Sequence, residues 1–133
     1  MILVKQLTPN LMVNNVNETV NFYQNTLGFE LVMSVPQEGI FNWAMVQWGQ
    51  VSLMFQEREN IIAEYPRLKD TPLGGGLTFY IKVDDVNSLY KKINQQVNIV
   101  FDLHNTFYGG TEFAIEDING FILTFAGDNE ANV

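Results

Sequence analysis

Along residues 7–30, LTPNLMVNNVNETVNFYQNTLGFE, the spacing of apolar positions changes twice. The first run, LTPNLMV, reads as a short extended segment. Pro9 directs it to a sheet edge or to a strand exchanged between subunits, because proline lacks the N–H that an interior strand must donate. Asn15 then stands at a helix N-cap position. Its side-chain oxygen can accept an unpaired backbone N–H, and Glu18, three residues on, can reach back as in a capping box. Val16, Val20, Tyr23 and Leu27 follow at spacings of four, three and four, one apolar stripe on a helix of about three turns. Gly28 supplies a left-handed stop, and FELVM restarts an extended run. The unit is β–α–β.

The same pattern returns at 77–93, where LTFYIKVDDVNSLYKKI comes into register with LTPNLMVNNVNETVNFY at 7–23. Thr8 falls on Thr78, Val13 on Val83, Asn15 on Asp85, Val16 on Val86, Val20 on Tyr90 and Tyr23 on Ile93. Strand, cap and stripe recur at one offset, which predicts an internal duplication.

Between and after these units the pattern is mostly extended. Residues 29–35 form a strand ended by Pro36, with a turn at 37–39. Strands at 41–48 and 51–56 are joined tightly through Gly49 and Gln50. A short helix fits 57–65, and the polar, glycine-ended segment 67–76 reads as a flexible linker. The second half repeats the order: strand 77–83, helix 85–95, strand 97–103, a turn region at 104–110, strand 111–116, a turn at 117–120 and strand 121–126. The acidic tail, 127–133, reads as loose. The expectation is one α+β domain spanning residues 1–133. It contains two tandem βαβββ modules, about 1–57 and about 77–127, with a linker at 58–76.

Composition narrows the chemistry. With 133 residues and a 47% apolar fraction, the chain is long and apolar enough for a packed core. It has no cysteine, hence neither disulfide framework nor thiolate chemistry. MILVKQLTPN is too short for a signal peptide and lacks its charged flank, and no apolar run reaches membrane-spanning length. These features predict a soluble, cytoplasmic protein without a membrane partner. The 15 acidic residues against 7 basic ones give a net charge of −8, which would repel a phosphate backbone and argues against nucleic acid. The same surplus would favour a cationic partner, with plain solubility as the alternative reading.

The duplicated module, with FYQNTLGFE after the first helix and EFAIEDINGFILTF near the end, resembles the vicinal oxygen chelate superfamily. That group includes glyoxalase I, extradiol dioxygenases, fosfomycin-modifying enzymes and bleomycin-resistance proteins. The resemblance runs from about Leu7 to Ala126. It implies that the modules form curled, half-open mixed sheets around a cup that holds ligand or metal. The family's enzymes bind a divalent metal there through His and Glu, at positions matched here by Thr8, Thr78, Thr124 and, in the first module, Met54. None of these is a ligand for Zn, Ni, Mn or Fe, which take imidazole, carboxylate or thiolate. With one histidine and no cysteine, a His-rich site cannot be assembled within one subunit. His104, at a strand end entering a turn, reads as a solvated loop residue, with ligand or base as the alternative. No metal and no other cofactor is expected.

The metal-free branch remains. Leu-Thr-Pro-Asn-Leu resembles the first strand of the bleomycin-resistance proteins, with Pro9 one residue after the missing ligand. In those proteins the first strand is exchanged across a two-fold axis, and acidic clefts at the dimer interface sequester a cationic glycopeptide without turnover. The resemblance implies a homodimer binding a planar small molecule, with a cationic one favoured by the acidic balance. Trp43 matches an aromatic that stacks on the drug, and Tyr108 lies near a second. Trp43 equally suits core or interface packing. Thr8, Met54, Thr78, Tyr80, Tyr108, Glu112 and Thr124 complete the candidate ligand-binding set, and no catalytic residue is named. The alternative is a glyoxalase- or dioxygenase-type enzyme whose metal ligands have moved to nearby carboxylates such as Glu112.

Overall fold

The computed structural model describes residues 1–128, which form two compact units, one ending at Asp70 and the other beginning at Thr71. The first unit contains strand β1 (Asn10–Val13), helix α1 (Val16–Asn21) with a π-helical continuation (Phe22–Leu27), and strands β2 (Glu30–Val35), β3 (Trp43–Trp48) and β4 (Val51–Glu57). Helix α2 (Arg58–Glu64) and a 3₁₀ turn (Pro66–Leu68) follow. The second unit contains β5 (Thr78–Lys82), helix α3 (Val86–Ile93), β6 (Asn98–Asn105), β7 (Gly110–Glu116) and β8 (Ile122–Asp128). Among the described residues, no helix is long and apolar enough to cross a membrane.

Each unit holds one mixed four-stranded sheet, ordered β1-β4-β3-β2 in the first and β5-β8-β7-β6 in the second. In both, the opening strand runs parallel to the closing one and the remaining pairs are antiparallel. The registers repeat the duplication: Asn10 lies opposite Met54 and Tyr80 opposite Thr124, at the same offset that aligns Thr8 with Thr78.

The expected curled, half-open cup is corrected. Neither sheet is closed or strongly curled, since among the described residues the end strands β1 and β2, and β5 and β6, have no further strand paired to them in their sheet. Four strands, each rotated by roughly 20–25° on its neighbour, fall well short of what closure needs.

Both helices start as the sequence indicates. The Asn15 side chain accepts the Glu18 backbone N–H at 3.0 Å, and Asp85 accepts that of Ser88 at 3.0 Å. The Asp85 carboxyl lies below its usual range because the Ser88 hydroxyl and N–H both favour its charged form. Val16, Val20, Tyr23 and Leu27 are buried in the first unit, and Leu11, Val13, Ala44, Val46, Leu53 and Phe55 supply the sheet side of its core. In the second unit Val86, Leu89 and Ile93 are buried, as are Ile81, Phe113, Ile115, Leu123 and Phe125. Leu89 takes the position expected for Tyr90, which is half-buried and donates to Asp102 at 2.7 Å.

Four further expectations change. The regular first helix widens into a π turn before Gly28 (φ 111°), where the Gly28 and Phe29 N–H groups share the Tyr23 carbonyl at 3.0 and 2.9 Å. The first strand begins at Asn10, so Leu7, Thr8 and Pro9 precede it; Pro9 joins the ladder only as an acceptor, from Met54 N–H at 2.8 Å. Strand β6 extends through Asn105, which places His104 in the sheet, and the turn occupies only 106–109. Strand β8 reaches Asp128, so of the tail expected to be loose, 127 and 128 are strand and 129–133 lie outside the described residues.

The triple glycine is more than a flexible connection. Gly74 has φ +72°, and a Cβ there would fall 2.3 Å from the Gly120 carbonyl carbon. It packs on the 117–120 turn, which the buried Asp117 organises by accepting the Asn119 and Phe121 N–H groups at 2.8 and 2.9 Å. Gly74→Ala should therefore cost roughly 2–3 kcal/mol in chemical denaturation, from backbone strain and the collision together. Gly75, whose added Cβ would meet only Pro72 at 3.6 Å, is the control and should tolerate alanine with little change. Equal effects at the two positions would contradict the docked conformation.

Candidate functional site

In each unit the helix covers one face of the sheet, α1 against β3 and β4 and α3 against β7 and β8. Side chains alternate along a strand, so the remaining positions line the opposite face. The two opposite faces differ in chemistry.

In the first unit, cross-strand register puts Asn10, Met54, Met45 and Met33 in one row and Met12, Gln56, Trp43 and Val35 in the next. Four of the chain's five methionines share this face with Trp43. Trp43, Met45 and Met54 are half-buried, and Met33 and Val35 exposed. Unbranched, polarizable thioethers around an indole make an adaptable apolar surface. At one end the buried Gln56 accepts from Asn10 at 2.8 Å and donates to Asn60 at 2.7 Å and Glu64 at 3.3 Å, tying α2 to β1 and β4. Met12, Met33 and Met45 were not singled out from the sequence, although the two-residue step from Trp43 to Met45 carried the signal. Trp48 belongs to the helix-covered side and meets Phe29 edge-on with ring centres 5.4 Å apart.

In the second unit the open face centres on Glu112 of β7, only 7% exposed. Tyr80 reaches from β5 across the intervening β8 and donates to Glu112 Oε2 at 2.6 Å. The β8 residues below its path, Thr124 and Ala126, are small enough to let the ring pass. Tyr108 donates to the same oxygen from the 106–109 turn. That turn is fixed by Thr106, which donates its N–H to Gly110 O at 2.8 Å and accepts the Gly110 N–H on Oγ1 at 2.9 Å, while Gly109 adopts φ 88°. Hydrogen bonding to Glu112 is the main cause holding both phenols above their ordinary pKa, so they remain protonated donors.

His104 lies opposite Glu112 on β6 and stacks on Phe101, with ring centres 4.1 Å apart. Its Nδ1 is 2.8 Å from the Asp102 carbonyl oxygen, which only accepts, so Nδ1 carries a proton.

Of the sequence-derived candidates, Tyr80, Tyr108 and Glu112 are joined by hydrogen bonds, with Thr124 beside Tyr80 in the ladder and Thr78 at the exposed start of β5. Trp43 and Met54 share the first sheet's open face. Thr8 precedes β1, and its hydroxyl accepts from Gln6 at 3.2 Å. The double phenol clamp on Glu112 was not foreseen, because it depends on a residue two strands away.

Among the described residues, no three His, Cys, Asp or Glu side chains gather into a group that could hold a metal ion. Thr8, Thr78, Met54 and Thr124 do not fit a divalent metal by donor chemistry, and no step is assigned to one. Replacing Glu112 by Gln should bring the alkaline titration of Tyr80 down toward 10.0, as followed by tyrosinate absorbance. The raised pKa contributes stability that is fully present below pH 10.0 and fades as pH rises toward the folded-state value. An unchanged absorbance titration in Glu112→Gln would contradict the clamp.

Residues 5–125 match the family described as Glyoxalase: Glyoxalase/Bleomycin resistance protein/Dioxygenase superfamily. No curated protein matches the chain. Among solved structures, the bleomycin-binding protein from bleomycin-producing Streptomyces verticillus, complexed with copper(II)-bleomycin, is 22% identical with a TM-score of 0.66, covering 97% of this chain and 100% of that one. TnmS3, an antibiotic binding protein from Streptomyces sp. CB03234, is 19% identical with a TM-score of 0.74, over 97% and 99%. TioX from Micromonospora sp. ML1 is 17% identical with a TM-score of 0.72, over 94% and 99%. At these identities the likeness is one of fold.

Proposed function

Because this chain belongs to the glyoxalase/bleomycin resistance protein/dioxygenase superfamily, we propose that it is a metal-independent small-molecule-binding protein of the bleomycin-resistance type, acting as a homodimer on a planar, cationic ligand. The observation that carries this reading is the open face of the first sheet, where half-buried Trp43 sits among Met33, Met45 and Met54. A rigid ring beside adaptable thioethers suits the flat face of a conjugated molecule. The net charge of −8 favours a cation by long-range attraction. The threonines and methionine at the family's ligand positions argue against a lyase or oxidoreductase that depends on metal.

Dimer formation draws support from the segment ahead of β1. Met1, Ile2, Leu3, Val4 and Leu7 are all exposed, the least of them Leu3 at 72%, an apolar stretch that a second copy of the chain would cover. Light scattering at micromolar concentration should give a dimer mass, and Ile2→Glu with Val4→Glu should shift it toward monomer. A monomeric unsubstituted protein would refute the dimer.

Binding is read by tryptophan fluorescence, with bleomycin as the planar cationic probe. Trp43→Ala should weaken binding by about 1–3 kcal/mol, the usual scale of a lost stacking contact, and added salt should slow association. Quenching by neutral or anionic compounds alone would contradict the proposed ligand class.

A further inference from the structure

We infer that the Tyr80–Glu112–Tyr108 cluster is an anchoring point for one ammonium group of a bound amine, in preference to a guanidinium or amidinium group. The inference deepens the small-molecule-binding reading and rests on it, but every residue it uses lies in the second unit.

Glu112 is buried, with 7% of its surface exposed, yet it points to the face that α3 leaves uncovered. A carboxylate so placed is costly unless paired, and among the described residues it has no cationic partner. Its two phenol donors both act on Oε2. Among the described residues no donor meets Oε1, and none of their fully buried side-chain oxygens lacks a partner, so Oε1 is not fully buried and can accept a further donor. The site presents one available acceptor on a carboxylate whose two phenol donors, Tyr80 and Tyr108, are 55% and 58% exposed.

That geometry discriminates between cations. A guanidinium or amidinium pairs best by two parallel N–H bonds, one to each carboxylate oxygen. Here the second oxygen already accepts two hydroxyls, so the fork finds only half its partner. An ammonium is a compact point charge that needs one strong acceptor and is further attracted by neighbouring ring faces. Because the phenols stay protonated through the neutral range, Oε2 remains occupied under ordinary conditions. In the ladder Glu112 stands between Ala126, which adds no side chain that would block approach, and His104, whose ring stacks on Phe101.

The test uses calorimetry on the full chain with three matched probes: 2-naphthylmethylammonium, 2-naphthylmethylguanidinium and neutral 2-naphthylmethanol. The ammonium should bind at least about fivefold more tightly than the guanidinium, and Glu112→Gln should weaken it about tenfold, the scale of a lost charged hydrogen bond. Tyr80→Phe combined with Tyr108→Phe frees Oε2 and should shift preference toward the guanidinium. This second variant keeps the carboxylate, so it remains informative should Glu112→Gln fold poorly. Equal or tighter guanidinium binding to the unsubstituted protein, or ammonium binding untouched by Glu112→Gln, overturns the anchor. If all three probes bind alike, the anchor fails while the binding reading stands; if none binds, both fail.

Discussion

A parallel pair of strands cannot be closed by a tight turn, so pairing β1 with β4, and β5 with β8, obliges the chain to travel out and back between them. In each unit it does so through a helix and two antiparallel strands. The helix falls on one face and buries the apolar stripe, Val16, Val20, Tyr23 and Leu27 in one unit and Val86, Leu89 and Ile93 in the other. The opposite face is then left for other uses. The pairing also fixes which residues lie side by side there, since the registers Asn10 with Met54 and Tyr80 with Thr124 propagate across each sheet.

Much of this frame was legible because it rests on local chemistry. Asn15 and Asp85 are recognisable N-caps whose side chains accept the N–H three residues on, and the four-three-four spacing needs only helix geometry. Features set by distant partners were not legible. The π turn arises where Tyr23 is held among Phe22, Phe29 and Phe55, and Gly74 is constrained by the 117–120 turn, far along the chain. The cup was carried over from the family resemblance rather than read from residues, and the open strand order of both sheets corrects it.

The two open faces show how one frame can diverge. Trp43 stands opposite Gln56 and Glu112 opposite Ala126, and Gln56 and Ala126 are equivalent positions on the closing strands of the two modules. The same place in the sheet thus holds an indole in one unit and a carboxylate in the other. Sequence reading named both residues. It also named Met54, Tyr80 and Tyr108, but missed Met12, Met33 and Met45 and the hydrogen bonds that join both phenols to Glu112, because those contacts depend on neighbours outside the local pattern. The absence of imidazole and carboxylate at Thr8, Thr78 and Thr124 was legible directly, since it depends on residue identity alone.

Elemental analysis of the purified protein, paired with its melting temperature in added Ni, Zn or Mn, tests the central claim of metal-independent binding most directly. A protein that binds by stacking and charge should carry no stoichiometric transition metal, and its melting temperature should not rise with any of the three, because only a ligand that favours the folded state stabilises it. Close to one equivalent of bound metal, lost on His104→Ala or Glu112→Gln, would contradict the account and return the chain to the metal-dependent members of its family.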